Sequence, residues 1–230
     1  MSASILPIAE RGRSRPPELG SVALRTRMPA IQAFTLIEML VVIAVIGIIA
    51  GIVLGVLPSV TNSRTTKVVQ AQLNHYATAI SVYQGEKGFY PPSDANELYN
   101  SLFYELTGAT TEIVNGQPAA FTTALVPGHR VPLADINSTF GVGGVINSSE
   151  SGGKSYVSGL RSSAYTALDS PPHPPSRPIV LVVPAKGTND ALPNVWRYNS
   201  ASPTHNKTSF DLWAVVKIGN KTNIFGNWKN

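Results

Sequence analysis

The sequence predicts an α+β fold in which a long N-terminal helix, half of it transmembrane, packs on a small antiparallel sheet. Three patterns, in chain order, lead to this prediction. An apolar run of membrane length begins at Phe34, and an amphipathic stripe with helical spacing follows it. Near the C-terminus, short segments rich in β-branched residues alternate with turn residues. The helix is therefore expected first and the sheet last.

The apolar run extends from Phe34 to Leu57, and Glu38 is its only charged residue. A bilayer core about 30 Å thick needs about 20 apolar residues as a helix, so the run can span it. A charge inside hydrocarbon is costly and marks a functional position by default. Glycines recur every fourth residue on one helical face, at Gly47, Gly51 and Gly55. This spacing either allows another helix to approach closely or reflects the frequency of glycine in membrane helices.

Residues 1–33 form a polar, basic leader with five arginines and two glutamates. Arginines on this side predict that the leader stays in the cytoplasm and that the C-terminal part is exported. No small-residue cleavage site follows Leu57, so the apolar run is expected to be retained. The true start is left open between Met1 and Met28.

The residues from Ala33 to Glu38 read A-F-T-L-I-E and run directly into the apolar segment. This stretch resembles the processing site of type IV pilin-like proteins. The resemblance implies that prepilin peptidase cuts between Ala33 and Phe34 and then methylates the new amine of Phe34. The family usually has glycine where this chain has Ala33, and both residues are small.

The same resemblance implies a role for Glu38 in assembly. In a pilin-like filament its carboxylate is expected to meet the Phe34 amine of a neighbouring subunit and to set the axial register. Opposite charges attract strongly where the dielectric is low, which offsets part of their desolvation. The alternative is that Glu38 snorkels to the membrane surface and has no part in assembly.

Beyond Pro58, which is expected to kink or loosen the helix, helical spacing predicts that the helix continues to Gln84. A stripe of apolar residues carries this prediction: Val69, Leu73, Tyr76, Ile80 and Tyr83. A second, short helix is predicted over 95–106, because Asp94 and Glu97 have capping-box spacing.

Strands are predicted over 179–183, 194–198, 210–217 and 222–228, and a turn at Gly219-Asn220 is expected to join the last two. Segment 108–178 is rich in glycine, serine and proline and is expected to be a variable surface insertion. The predicted organisation is a leader over 1–33, a transmembrane or filament-core helix over 34–57, and an exported domain over 58–230.

Three segments resemble the major pseudopilin of type II secretion systems: Gly85 to Pro92, Phe210 to Trp213, and Gly226 to Trp228. The resemblance implies a lollipop-shaped structural subunit, anchored in the bacterial inner membrane with its domain in the periplasm. Its expected partners are prepilin peptidase, identical subunits and other pseudopilins, and the inner-membrane assembly platform.

That subfamily binds calcium in a loop built from aspartates. The corresponding residues 214–225 hold no Asp or Glu and two lysines. Calcium requires several oxygen ligands, typically including carboxylates, so the calcium site is expected to be lost and no cofactor is expected. A hairpin is predicted in its place.

Two other functions remain open: a type IV pilin or minor pilin of a surface fibre, and a signal-anchored binding protein that does not polymerise. The chain has no cysteine, and its four histidines lack metal-ligand spacing, so neither a catalytic nor a metal site is expected. Of the net charge of +5, the leader supplies +3, so no nucleic-acid partner is expected.

Overall fold

The computed structural model describes residues 34–94, 97–168, 176–189 and 192–228, so the leader and Ala33 lie outside the described residues. The chain divides into two compact units, Met1–Ile48 and Ile49–Asn230. The predicted α+β class is confirmed. The elements are α1 (Leu36–Lys87), α2 (Leu102–Thr107), β1 (Ala109–Val114), β2 (Gln117–Thr123), β3 (Val126–Pro132), α3 (Leu133–Phe140), β4 (Ser148–Ser149), a 3₁₀ turn (Ser162–Ala164), β5 (Tyr165–Ala167), β6 (Ile179–Leu181), β7 (Arg197–Asn199), β8 (Asp211–Ile218) and β9 (Lys221–Gly226).

Helix α1 has 52 residues and continues through position 58, so the predicted continuation of the helix is confirmed. In the C-terminal unit the predicted stripe is buried, from Val69 to Tyr83, and Ala79 beside it is buried as well, while most residues between the stripe members are exposed. Tyr76 packs edge-on against Trp196, with 5.7 Å between ring centroids. The stripe thus forms one wall of the core, as its spacing predicts.

The predicted second helix is too long. Helix α2 begins only at Leu102, and residues 97–99 form a bend. The carbonyl oxygen of Glu97 accepts a hydrogen bond from the backbone N–H of Tyr198, and its side chain accepts one from Asn199. Because strand β7 takes up these groups, Glu97 does not form a capping box.

The prediction that 108–178 lies at the surface is wrong for much of this segment. Strands β1 to β4 form one sheet with the order β3-β2-β1-β4, in which only the β1–β4 pair is parallel. Phe121, Val131 and Phe140 are buried in the same core as the α1 stripe. Gly141, Gly143 and Gly144, which suggested an insertion, follow α3, and the proline run over 171–175 lies outside the described residues.

The C-terminal strands agree with the prediction to within a few residues. Strands β7, β8 and β9 form an antiparallel sheet in that order, and β5 pairs with β6. A bridge between Val182 and Val195 connects the β6 and β7 segments. The hairpin at Gly219-Asn220 is confirmed, and Gly219 adopts a positive φ of 59°, which favours glycine.

Candidate processing and assembly site

The site predicted from the sequence begins where α1 begins. Phe34 and Thr35 precede the first helical residue, and Phe34 is 73% exposed. The carboxylate oxygen Oε2 of Glu38 accepts hydrogen bonds from the Thr35 backbone N–H (2.8 Å) and from the Thr35 hydroxyl (2.7 Å). The Glu38 N–H in turn lies 3.3 Å from the Thr35 hydroxyl oxygen, so the two residues form a reciprocal capping box.

The capping box fixes where the Glu38 carboxylate points. It folds back toward the N-terminus, where the positive end of the helix dipole favours an anion. Among the described residues, the second carboxylate oxygen, Oε1, accepts no hydrogen bond. Glu38 therefore has a partner within its own chain and still presents one oxygen beside the Phe34 end, where a cation could bind.

The helix that follows is apolar over Leu36–Leu54, long enough to cross a membrane, and its side chains are exposed. A Cβ built at Gly47 or Gly51 would meet no atom of the described residues within 4 Å. Packing within the described part of the chain therefore does not require glycine at these two positions. Gly55 lies on the same helix, and Ala33, the other residue of the predicted cleavage bond, lies outside the described residues.

Thr35 is the residue that the sequence analysis missed. Its signal was present, because threonine followed by glutamate three residues later, just before an apolar run, is the capping-box pattern. The same two residues also belong to the A-F-T-L-I-E stretch, so one short segment carries both the cleavage pattern and the capping-box pattern.

Asp211 connects the segment from Phe210 to Trp213 to the preceding loop through hydrogen bonds. The buried carboxylate of Asp211 accepts hydrogen bonds from three successive backbone N–H groups, those of Thr204, His205 and Asn206, at 2.7 to 2.8 Å. Burial raises the pKa of Asp211, but these N–H donors and the His205 ring outweigh burial and hold the pKa below its usual range. This aspartate ties the loop over 204–206 to the start of β8.

Near Asp211, His205 stacks on Trp228 with 3.8 Å between ring centroids. His75 is exposed on α1, between the buried stripe residues Leu73 and Tyr76. Within the described parts of the chain, no group of three or more His, Cys, Asp or Glu residues is arranged to hold a metal ion.

Comparison with known proteins gives one positive result. The model of the prokaryotic N-terminal methylation motif matches residues 28–54, which include the Ala33–Phe34 bond, the Thr35–Glu38 capping box and the apolar span. No curated protein and no solved structure matches the chain. The chain thus carries a prepilin-type methylation signal, which supports a pilin-like or pseudopilin protein, is consistent with prepilin peptidase as a partner, and agrees with a single-pass membrane anchor.

Proposed function

We propose that this chain is a structural pseudopilin of a type II protein secretion system, not an enzyme. Prepilin peptidase removes residues 1–33 and methylates the Phe34 amine, and the mature chain polymerises into a periplasmic filament. The matched methylation motif carries the proposal, since it covers both the scissile bond and Glu38. The resemblance of Phe210 to Trp213 to the pseudopilin C-terminal segment favours secretion over a surface fibre.

In the filament, the Glu38 carboxylate pairs with the methylated amine of Phe34 on a neighbouring subunit. The support is the orientation of the carboxylate, which Thr35 turns toward the N-terminus with Oε1 open. An ammonium beside this oxygen forms a charge-assisted hydrogen bond, the stronger kind. The pair fixes the depth at which a new subunit stops, and so sets the axial register.

Processing is tested by intact-mass and N-terminal sequence analysis of the protein extracted from its native membrane. We expect a chain that begins with N-methylated Phe34. A chain that still begins at Met1 or Met28 would show that the motif is not used, and the anchored, non-polymerising binding protein would become the better interpretation.

Assembly is tested with Glu38→Gln, which keeps the shape of the side chain and removes its charge. We expect normal processing and a normally folded domain, but little incorporation into filaments pelleted from cells that produce the whole assembly machinery. Glu86→Gln is the matched control, because Glu86 is an exposed carboxylate near the other end of the same helix. Equal incorporation of both variants would refute the register role of Glu38.

The choice between secretion system and surface fibre is tested in a deletion strain. A pseudopilin predicts that normally secreted proteins accumulate in the periplasm. A type IV pilin or minor pilin predicts intact secretion and the loss of a surface fibre. The missing aspartate loop over 214–225 is the observation that keeps the pilin alternative open.

A further inference from the structure

Two basic elements meet in the C-terminal unit. Helix α1 carries Arg64 and Lys67 shortly after the apolar run, and the β8–β9 hairpin carries Lys217 and Lys221 beside its turn. The turn reaches the helix, because a Cβ built at Gly219 would lie 3.7 Å from the side-chain nitrogen of Asn62. All four basic residues are exposed, and we refer to them together as the basic collar.

The segments that carry the collar residues, 39–85 and 212–226, contain no acidic residue. Among the residues that the structure describes, the four collar side chains form no ion pair, whereas Arg130 and Lys154 pair with glutamates. The collar is therefore a positively charged patch, which attracts an anionic surface.

Its position along α1 indicates which anionic surface it meets. Arg64 follows Leu57 by seven residues, or about 10 Å of helix at 1.5 Å per residue. Lipid headgroups extend about 5–8 Å beyond each face of the hydrocarbon core. Long arginine and lysine side chains can cover the remaining distance. Asn62, which the hairpin turn touches, is nearer still to the end of the apolar run.

We propose that the basic collar docks the C-terminal domain on the anionic phospholipid headgroups of the membrane that anchors α1. Each lysine or arginine near such a surface strengthens binding about fivefold. Four such residues on two touching elements would hold the hairpin against the bilayer before the subunit leaves it. The proposal needs only the membrane anchor and not filament assembly, so the two can fail separately.

The absence of cysteine allows a single dye to be placed on the hairpin through Asn220→Cys. The full chain is inserted into nanodiscs at one copy per disc, made either of phosphatidylcholine alone or with added phosphatidylglycerol. A quencher on a lipid headgroup then reports how close the dye lies to the surface. We expect stronger quenching in the anionic discs, and loss of the difference in 1 M salt, where the Debye length is about 3 Å.

Charge variants identify the residues responsible. Replacing both hairpin lysines, Lys217→Gln with Lys221→Gln, should weaken docking about 25-fold, at about fivefold for each. Lys207→Gln is the matched control for Lys221→Gln, because Lys207 is an exposed lysine beyond the opposite end of β8. A dye attached through Thr208→Cys, at that same end, should report no difference between the lipids.

Three results would overturn the proposal. The first is equal quenching of the Asn220 dye in neutral and anionic discs. The second is an effect of Lys207→Gln as large as that of Lys221→Gln, which would indicate net charge instead of a local contact. The third is quenching that appears only with two or more copies per disc, which would assign the collar to an acidic surface of a second subunit.

Discussion

The buried carboxylate of Glu105 permits a quantitative test of how the domain is held together. Its Oε1 accepts the backbone N–H of Ile146 at 2.7 Å, and its Oε2 accepts the N–H of Asn147 and the hydroxyl of Tyr83, both at 2.9 Å. Glu105→Gln replaces one of these oxygens with NH₂. Whichever way the amide turns, one backbone N–H then faces another donor. A buried donor without an acceptor costs about 1–3 kcal/mol, a large share of a typical stability of 5–15 kcal/mol.

The free energy of unfolding can be measured on the full chain in mild detergent, with urea as denaturant and tryptophan emission as the signal. All three tryptophans lie in the C-terminal unit, so the emission reports that unit. Glu112→Gln is the matched control, because Glu112 is an exposed carboxylate paired with Arg130, and we expect its midpoint to stay near that of the wild type. A Glu105→Gln midpoint equal to that of Glu112→Gln would refute the reasoning.

Glu105→Gln is also expected to change how the free energy of unfolding depends on pH. Burial raises the pKa of Glu105, although hydrogen bonds from Ile146, Asn147 and Tyr83 act in the opposite direction. The folded chain therefore keeps its proton at pH values where the unfolded chain has lost it. The stability that this group contributes is full below the ordinary carboxyl range and is lost as the pH rises through the folded-state pKa. Glu105→Gln should remove that decline, and an unchanged slope would contradict the assignment.

Three further predictions follow from other parts of the chain. Asp211→Asn should lower the free energy of unfolding by about 1–3 kcal/mol, since one backbone donor loses its acceptor. It should also reduce the loss of stability that occurs as the pH falls through the lowered pKa of Asp211. Urea unfolding across acidic pH measures both effects. Gly51→Leu should leave the unfolding midpoint unchanged, because no atom of the described residues lies within 4 Å of its Cβ position, while reducing filament incorporation. Normal incorporation would argue against a packing role. Ala33→Leu should block leader removal on immunoblots, and normal processing would refute the cleavage site.

The long helix could be predicted because its signals are local. Apolar residues at helical spacing specify which face is buried, and Tyr76 and Tyr83 lie where that spacing places them. The signal for the C-terminal hairpin was also local, since Gly219 supplies the positive φ that its turn requires. The start of α2 could not be predicted from local signals, because the carbonyl oxygen of Glu97 accepts a hydrogen bond from the backbone N–H of Tyr198, about a hundred residues away in the sequence. A capping pattern cannot reveal such competition.

Strands β1 to β3 show where the sequence analysis fell short. Asn115-Gly116 is a strong hairpin signal, and both residues have positive φ in the β1–β2 turn. The flanking strands are rich in threonine and alanine and include a proline, so they lack the apolar alternation that usually identifies strands. Their burial depends on packing of Phe121 and Val131 against distant elements, which no local window contains.

Glu38 has a hydrogen-bond partner within its own chain, and this partner changes what its charge implies. From the sequence alone, a carboxylate in an apolar span indicates a partner in another chain. The structure instead supplies Thr35, which satisfies one carboxylate oxygen within the same helix turn. The desolvation of Glu38 therefore does not by itself demand assembly. What supports assembly is the direction of the carboxylate: the capping box aims it at the end of the helix where processing would create a new positive charge at Phe34.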